Sequence, residues 1–284
     1  MSRMYDLLKK AENERPAYKV IGIEDVETPD TQIAEASGAD SRPLDGTPRL
    51  SATAGPITLE TLLARCSPTT WTPDTKAMLF FGSDEPVGGA EEFRSLRAQL
   101  SHLREKQHLR RILVTSSIPK EGRSFVAANL AQAMARQPGN RVLLIDADLR
   151  GPNLHIALGT PASPGLTEYL LDEAEEFRII QRGQMANLFF IASGRSVSGQ
   201  ADLVSNGRLK FLLDRLEPIF DWIIIDSPSA IPVTDSSLMT TFCDGVLMVV
   251  RANSTPFDIV RKARQRFPYE RLLGVVLNRI PADV

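Results

Sequence analysis

The chain has 284 residues, 43% of them hydrophobic and 24% charged, a composition ordinary for a folded domain and unlike a disordered or fibrous chain. A formal net charge of -2 and a pI near 6.0 supply no basic field, which excludes nucleic acid as a main partner. Cys66 and Cys243 stand far apart with no CxxC or Cys/His spacing, so neither a zinc site nor a disulfide framework is indicated.

In chain order, residues 3–14 read as a short helix, with Leu7, Leu8 and Ala11 at helical spacing and Pro16 ending it. Their charged opening is no secretory signal, and no run in the chain approaches the roughly 18 apolar residues of a membrane span, so the expectation is a cytoplasmic protein. From about Val20 to Leu62 acidic residues outnumber basic ones eight to two among Thr, Pro, Gly and Ser, the composition of a flexible linker, with a helix expected at 57–65. The stretch Pro68–Gly89 is irregular apart from the apolar run Ala77–Phe81, which reads as an edge strand or a docking segment. Residues 1–89 thus form an irregular extension and 90–284 the main domain.

Order is expected to begin at Ala90, where Phe93, Leu96, Leu100 and Leu103 recur at helical intervals. Apolar segments of strand length follow at Arg111–Ser116, Val142–Asp146, Leu188–Ala192, Trp222–Asp226, Gly245–Val250 and Leu272–Leu277, with helical patterns between them. Continuous apolar strands alternating with helices indicate an α/β fold with a mostly parallel sheet covered by helices on both faces, a plan that places ligands at the carboxyl ends of the strands.

The first of these strands runs into TSSIPKEGRSFVAANLA, a turn-rich loop opening into a helix, which is how backbone N–H groups are presented to phosphates. Against the phosphate-loop pattern GxxxxGK[ST] the register is Ser117, Gly122, Arg123 and Ser124. Ser124 falls where a hydroxyl ligates Mg²⁺, while Arg123 stands in place of the lysine. Two further strands end in carboxylates: VLLIDADLR places Asp146 and Asp148, and DWIIIDSP places Asp226. Carboxylates at the edge of a core need partners, and Mg²⁺ bound to phosphates satisfies them together. The residues therefore read as a P-loop NTPase fold that binds a nucleotide.

The segments EEFRSLR, SSIPKEGRS, VLLIDADLRGPNLH and DWIIIDSP together resemble the bacterial tyrosine kinases (BY-kinases) of capsule and exopolysaccharide loci, within the MinD/ParA-like P-loop ATPases, over about residues 90–279. The resemblance implies ATP and Mg²⁺ as cofactors, with Ser117, Pro119, Lys120, Glu121, Gly122, Arg123, Ser124 and Phe125 around the phosphates and Asn278 near the nucleotide base. It implies Asp146 and Asp148, with Arg123, as the catalytic group, and Ser124, Asp146 and Asp226 as the metal set. Arg150 belongs to the same DxDxR segment. Glu91, Arg94 and Arg97 match an ExxRxxR segment that mediates homo-oligomer assembly. A membrane-anchored polysaccharide co-polymerase is the implied partner, recruiting the chain to the inner face of the membrane.

The sequence departs from the family pattern in three places. Arg123 replaces the loop lysine, and a planar guanidinium cannot take the place of a compact ammonium between phosphates. Lys120 replaces the usual loop glycine. The four tyrosines, Tyr5, Tyr18, Tyr169 and Tyr269, are scattered, and the ending NRIPADV is not a tyrosine-rich tail. The leading expectation is a tyrosine autokinase-like ATP-binding protein with weakened catalysis. The alternatives are an inactive pseudo-kinase acting as an assembly module and a MinD/ParA-like positioning ATPase.

Overall fold

The computed structural model describes residues 19–21, 57–81, 89–231 and 235–279; the helix expected at 3–14 and most of the acidic linker lie outside them. Among the described residues nine strands form one sheet: β1 (Lys19–Ile21), β2 (Ser67–Pro68), β3 (Arg111–Ser116), β4 (Val142–Asp146), β5 (Ile180–Arg182), β6 (Leu188–Ile191), β7 (Trp222–Asp226), β8 (Gly245–Arg251) and β9 (Leu272–Asn278). Their spatial order is β1-β9-β8-β3-β7-β4-β6-β5-β2. The run from β9 to β6 is parallel throughout, as the continuous apolar strands predict, while β1 on β9 and β5 on β6 are antiparallel.

Side chains alternate across this sheet with the period of two that a strand imposes. Leu113, Leu143, Ile145, Ile223 and Ile225 enter one core, and Ile112, Val114, Leu144 and Ile224 enter the other. On the first face lie α1 (Leu59–Arg65), α5 (Leu166–Leu170), α6 (Glu176–Ile179), α7 (Gln200–Ser205), α8 (Arg208–Leu216) and α9 (Asp235–Thr240), and the buried Ala263 joins α10 (Phe257–Arg264) to the same core. On the second lie α2 (Ala90–Lys106), α3 (Arg123–Ala135) and the short α4 (Leu154–Leu158). Among the described residues no helix is long and apolar enough to cross a membrane.

The helix α3 is buried all round, from Val126 to Ala135, because alanines let it lie close to the sheet while another layer covers its outer side. Part of that layer is residues 71–81. The run Ala77–Phe81 docks and does not form a strand: Leu79 N donates to Asn129 Oδ1 at 2.9 Å, Phe80 N to Gln132 Oε1 at 3.2 Å, and Asn129 Nδ2 to the Ala77 carbonyl at 2.8 Å. Two buried polar side chains of α3 thus satisfy a backbone that has no ladder of its own. Trp71 lies fully buried, edge-on to Phe190 with centroids 6.2 Å apart, and Gly183 is glycine because an added Cβ would sit 2.3 Å from the indole. Residues 57–81, placed in the extension on composition, are packed into both cores, so the structural unit begins well before residue 90.

Candidate functional site

The strand order brings the predicted residues to one edge. β7 lies between β3 and β4, so the loop after β3 and the ends of β4 and β7 are neighbours at the carboxyl edge, with Val114 in register with Asp226 and Asp226 with Asp146. The segment after β7 is stitched to the loop strand: Ser227 N donates to the Val114 carbonyl, Thr115 Oγ1 to the Pro228 carbonyl and Ala230 N to the Ser116 carbonyl.

The loop itself is held from below. Glu121, expected at the phosphates, is buried and turned inward, its carboxylate accepting from Ile118 N at 2.9 Å, Arg251 N at 3.2 Å and Thr255 Oγ1 at 2.5 Å. Asn278, expected near the base, lies buried beneath the loop, donating from Nδ2 to the Glu121 carbonyl at 2.8 Å, and so braces the loop backbone. Gly122 has φ +90°, and a Cβ there would meet Asn278 Nδ2 at 1.9 Å, so only glycine fits this crossing. Lys120 takes the left-handed conformation at φ +70°, which accounts for glycine being the usual residue in the loop pattern it resembles; a non-glycine residue there costs about 1–2 kcal/mol. Pro119 and Lys120 form the exposed crest. Phe125 turns its ring to Phe93, centroids 5.9 Å apart, joining the helix core.

Above this brace α3 begins at Gly122 with no side chain capping it, leaving its first amides to an external acceptor. Ser117 Oγ is buried there without a hydrogen-bond partner. Both features suit an anion such as a phosphate.

Arg123 does not rise into this cradle. Its Nε donates to Asp226 Oδ1 at 2.8 Å and its Nη2 to Asp148 Oδ2 at 2.5 Å, with the side chain 11% exposed. Burial disfavours the guanidinium charge, but the two carboxylates outweigh it and hold its pKa above the usual arginine value. Asp148 Oδ1 in turn accepts from the amides of Arg150 and Gly151, both at 3.2 Å. Asp146 receives only amides, from Asp148, Asn153 and Leu154 at 3.2–3.3 Å, and no cation. Burial first, and Asp226 second, push its pKa up to about 8. Asp226 is pushed up by burial and pulled back by Arg123 and the Ser124 hydroxyl.

These contacts suit a divalent ion poorly. Among the described residues no group of three or more His, Cys, Asp or Glu is arranged for a metal. Asp226 Oδ2 is buried and unpartnered, yet a dication there would face the guanidinium bound to the other oxygen of the same carboxylate. The expected set of Ser124, Asp146 and Asp226 therefore converges, with one guanidinium already shared between Asp226 and Asp148.

Sequence reasoning did not single out Asp235, buried at the start of α9, which pairs with Arg150 (Nε to Oδ2 3.0 Å) and fixes the DxDxR turn; the only signal was a second carboxylate after the strand ending in Asp226. On α2, Glu91 and Arg94 form an exposed pair at 2.8 Å, whereas Arg97 is committed within the chain, donating to the Ala133 carbonyl at 2.9 Å. Of the tyrosines, Tyr169 is buried, its hydroxyl pushed up to about 12, first by burial, and Tyr269 is 53% exposed.

Comparison with known proteins places this geometry. A family model described as an AAA domain matches residues 120–258. The tyrosine-protein kinase YwqD of Bacillus subtilis (strain 168) is 31% identical over 191 residues, 66% of this chain and 80% of that protein. The chain belongs to the bacterial tyrosine-protein kinase family. Family members differ in length: the succinoglycan biosynthesis transport protein ExoP of Rhizobium meliloti (strain 1021) is 31% identical over 195 residues, 67% of this chain but 25% of that protein. In structure, the chimerical protein CapA2B2 superposes with a TM-score of 0.68 at 28% identity, covering 78% of this chain and 98% of that one.

Proposed function

We propose that the chain is an ATP-binding bacterial tyrosine kinase that works in capsule or exopolysaccharide assembly at the cytoplasmic face of the membrane, beside a membrane-anchored co-polymerase, with phosphoryl transfer slowed by Arg123. The observation that carries this reading is the convergence of the loop, the uncapped start of α3 and the ends of β4 and β7 on one edge, bridged by Arg123 at 2.5–2.8 Å. The polysaccharide context rests on the relative named for succinoglycan biosynthesis transport. Nucleotide phosphates would lie against the amides of Gly122–Ser124 and the free Ser117 hydroxyl, a built anion cradle. Asp148, with Asp146 beside it, would orient an acceptor hydroxyl. The slowing follows from charge: phosphoryl transfer relies on a cation held at the transferred group, and the guanidinium is turned instead onto two carboxylates.

Assembly is proposed through the exposed Glu91/Arg94 end of α2, with Arg97 buttressing α2 on α3. The positioning-ATPase alternative gains no support from α10, whose Arg261 is paired with Asp258 on an eight-residue helix. The test is incubation of wild type and Arg123→Lys with γ-labelled ATP and the soluble part of a candidate partner. The expected result is labelled tyrosine that rises at least about tenfold in Arg123→Lys, the loss of one transition-state charge contact being worth at least that. Absence of label with either protein, both binding ATP, would leave the assembly-module reading in its place.

A further inference from the structure

Asp148 and one oxygen of Asp226 are answered by a cation from inside the chain. Arg123 spans Asp226 and Asp148 with separate nitrogens, Nε and Nη2, at 2.8 and 2.5 Å. The planar fork is what permits this, since two acceptors on different strand ends are met by one rigid group; a lysine, with a single point charge, would meet one of them well. Asp146 is engaged by three backbone amides. Asp148 is further fixed by two amides, and Asp235, the next carboxylate, is held by Arg150. The pair side chains are 11%, 12% and 1% exposed for Arg123, Asp148 and Asp226, so the interaction is made out of water and is little screened.

We infer that Arg123 is a tethered cation that occupies the place of a divalent metal at Asp148 and Asp226, so that this chain binds nucleotide without needing a metal. A metal entering there must displace a buried guanidinium and leave it unpaired, or sit beside it and be repelled; either outcome opposes binding. The backbone amide of Arg123 lies among those that would hold the phosphates, while its side chain is turned onto the two carboxylates. The second half of the inference rests on the nucleotide-binding reading above; the first half does not, and the two are separable by experiment.

The test uses the full chain and Mn²⁺ as the metal probe, read by electron paramagnetic resonance without nucleotide, alongside calorimetric titration of ADP in Mg²⁺ and in EDTA. Wild type is expected to show no Mn²⁺ site that Asp226→Asn weakens. Arg123→Gln, which keeps a polar side chain and removes the charge, is expected to gain one at least about tenfold tighter than any wild-type binding, lost again on adding Asp226→Asn. Should Arg123→Gln not fold, Arg123→Lys serves in its place, and the wild-type and Asp226→Asn comparison decides alone. ADP affinity of wild type is expected to differ less than about twofold between Mg²⁺ and EDTA, and Arg123→Lys to become Mg²⁺-dependent by at least about tenfold. A wild-type Mn²⁺ site abolished by Asp226→Asn overturns the inference, as does tenfold weaker ADP binding by wild type in EDTA. No ADP binding in either condition, with the Mn²⁺ results as expected, overturns the nucleotide reading and upholds Arg123 as the internal cation.

Discussion

Replacing Asn129 with alanine should loosen residues 77–81 from the helix that carries the phosphate loop. The substitution removes the acceptor for Leu79 N and the donor for the Ala77 carbonyl, at 2.9 and 2.8 Å. Neither group has a strand partner, and a buried backbone group left unpaired costs about 1–3 kcal/mol. Two such groups set a range of about 2–6 kcal/mol, and because the Ala77 contact is only partly buried the expected loss is about 2–4 kcal/mol. With a urea slope near 3 kcal/mol/M this moves the unfolding midpoint down by roughly 1 M. Trp71, buried beside Phe190 and Phe81, reports the segment by fluorescence, and tryptic cleavage after the exposed Lys76 reports its detachment directly. A midpoint shift below about 0.3 M with unchanged cleavage at Lys76 would refute the anchoring role.

Two further outcomes follow from the same structure. The Asp146 pKa is raised by folding, from an ordinary carboxylate value near 4 to about 8, so the native state holds a proton that the unfolded chain has lost. The contribution of Asp146 to stability should therefore be greatest at the acid end of this window and fall as pH rises from about 4 to about 8, and in Asp146→Asn this contribution to the slope should vanish; equal slopes of melting temperature against pH in both proteins would count against the assignment. On α2, Arg94→Ala should reduce the particle mass seen by light scattering while costing at most about 0.5 kcal/mol in stability, as expected for an exposed pair. An unchanged mass would remove this face as the interface.

Much of the fold is written in the sequence because the central parallel strands are buried on both faces and read as unbroken apolar runs, two of which stop at carboxylates. The helix α2 is equally legible, since Phe93, Leu96 and Leu100 form one buried stripe. The short strands β1, β2 and β5, of two or three residues each, are not: such lengths carry no period and are specified by the backbone edge they meet. For Ala77–Phe81 the sequence left an edge strand and a docking segment equally open, for another reason. Their anchors are Asn129 and Gln132, polar residues on a buried helix, and polar residues ordinarily mark the solvent side.

At the site, position was easier to read than contact. Ser117, Gly122, Arg123, Asp146, Asp148 and Asp226 could be placed at one edge from strand ends alone. Whether Arg123 faces a phosphate or a carboxylate depends on the register of β4 with β7, which sets Asp146 and Asp226 side by side and is invisible in a linear pattern. Glu121 and Asn278 lie in or near the loop motif, yet their partners are Thr255, Arg251 and the loop carbonyl, some 130 to 157 residues away in sequence.

The most direct measurement is equilibrium dialysis of labelled ATP against the wild-type chain and Gly122→Val, whose side chain would both strain φ +90° and strike Asn278. Saturable binding of one ATP per wild-type chain, weakened at least about tenfold in a folded Gly122→Val, is the predicted result. No binding by folded wild type, or equal binding by both, would contradict the claim that this loop is a nucleotide cradle.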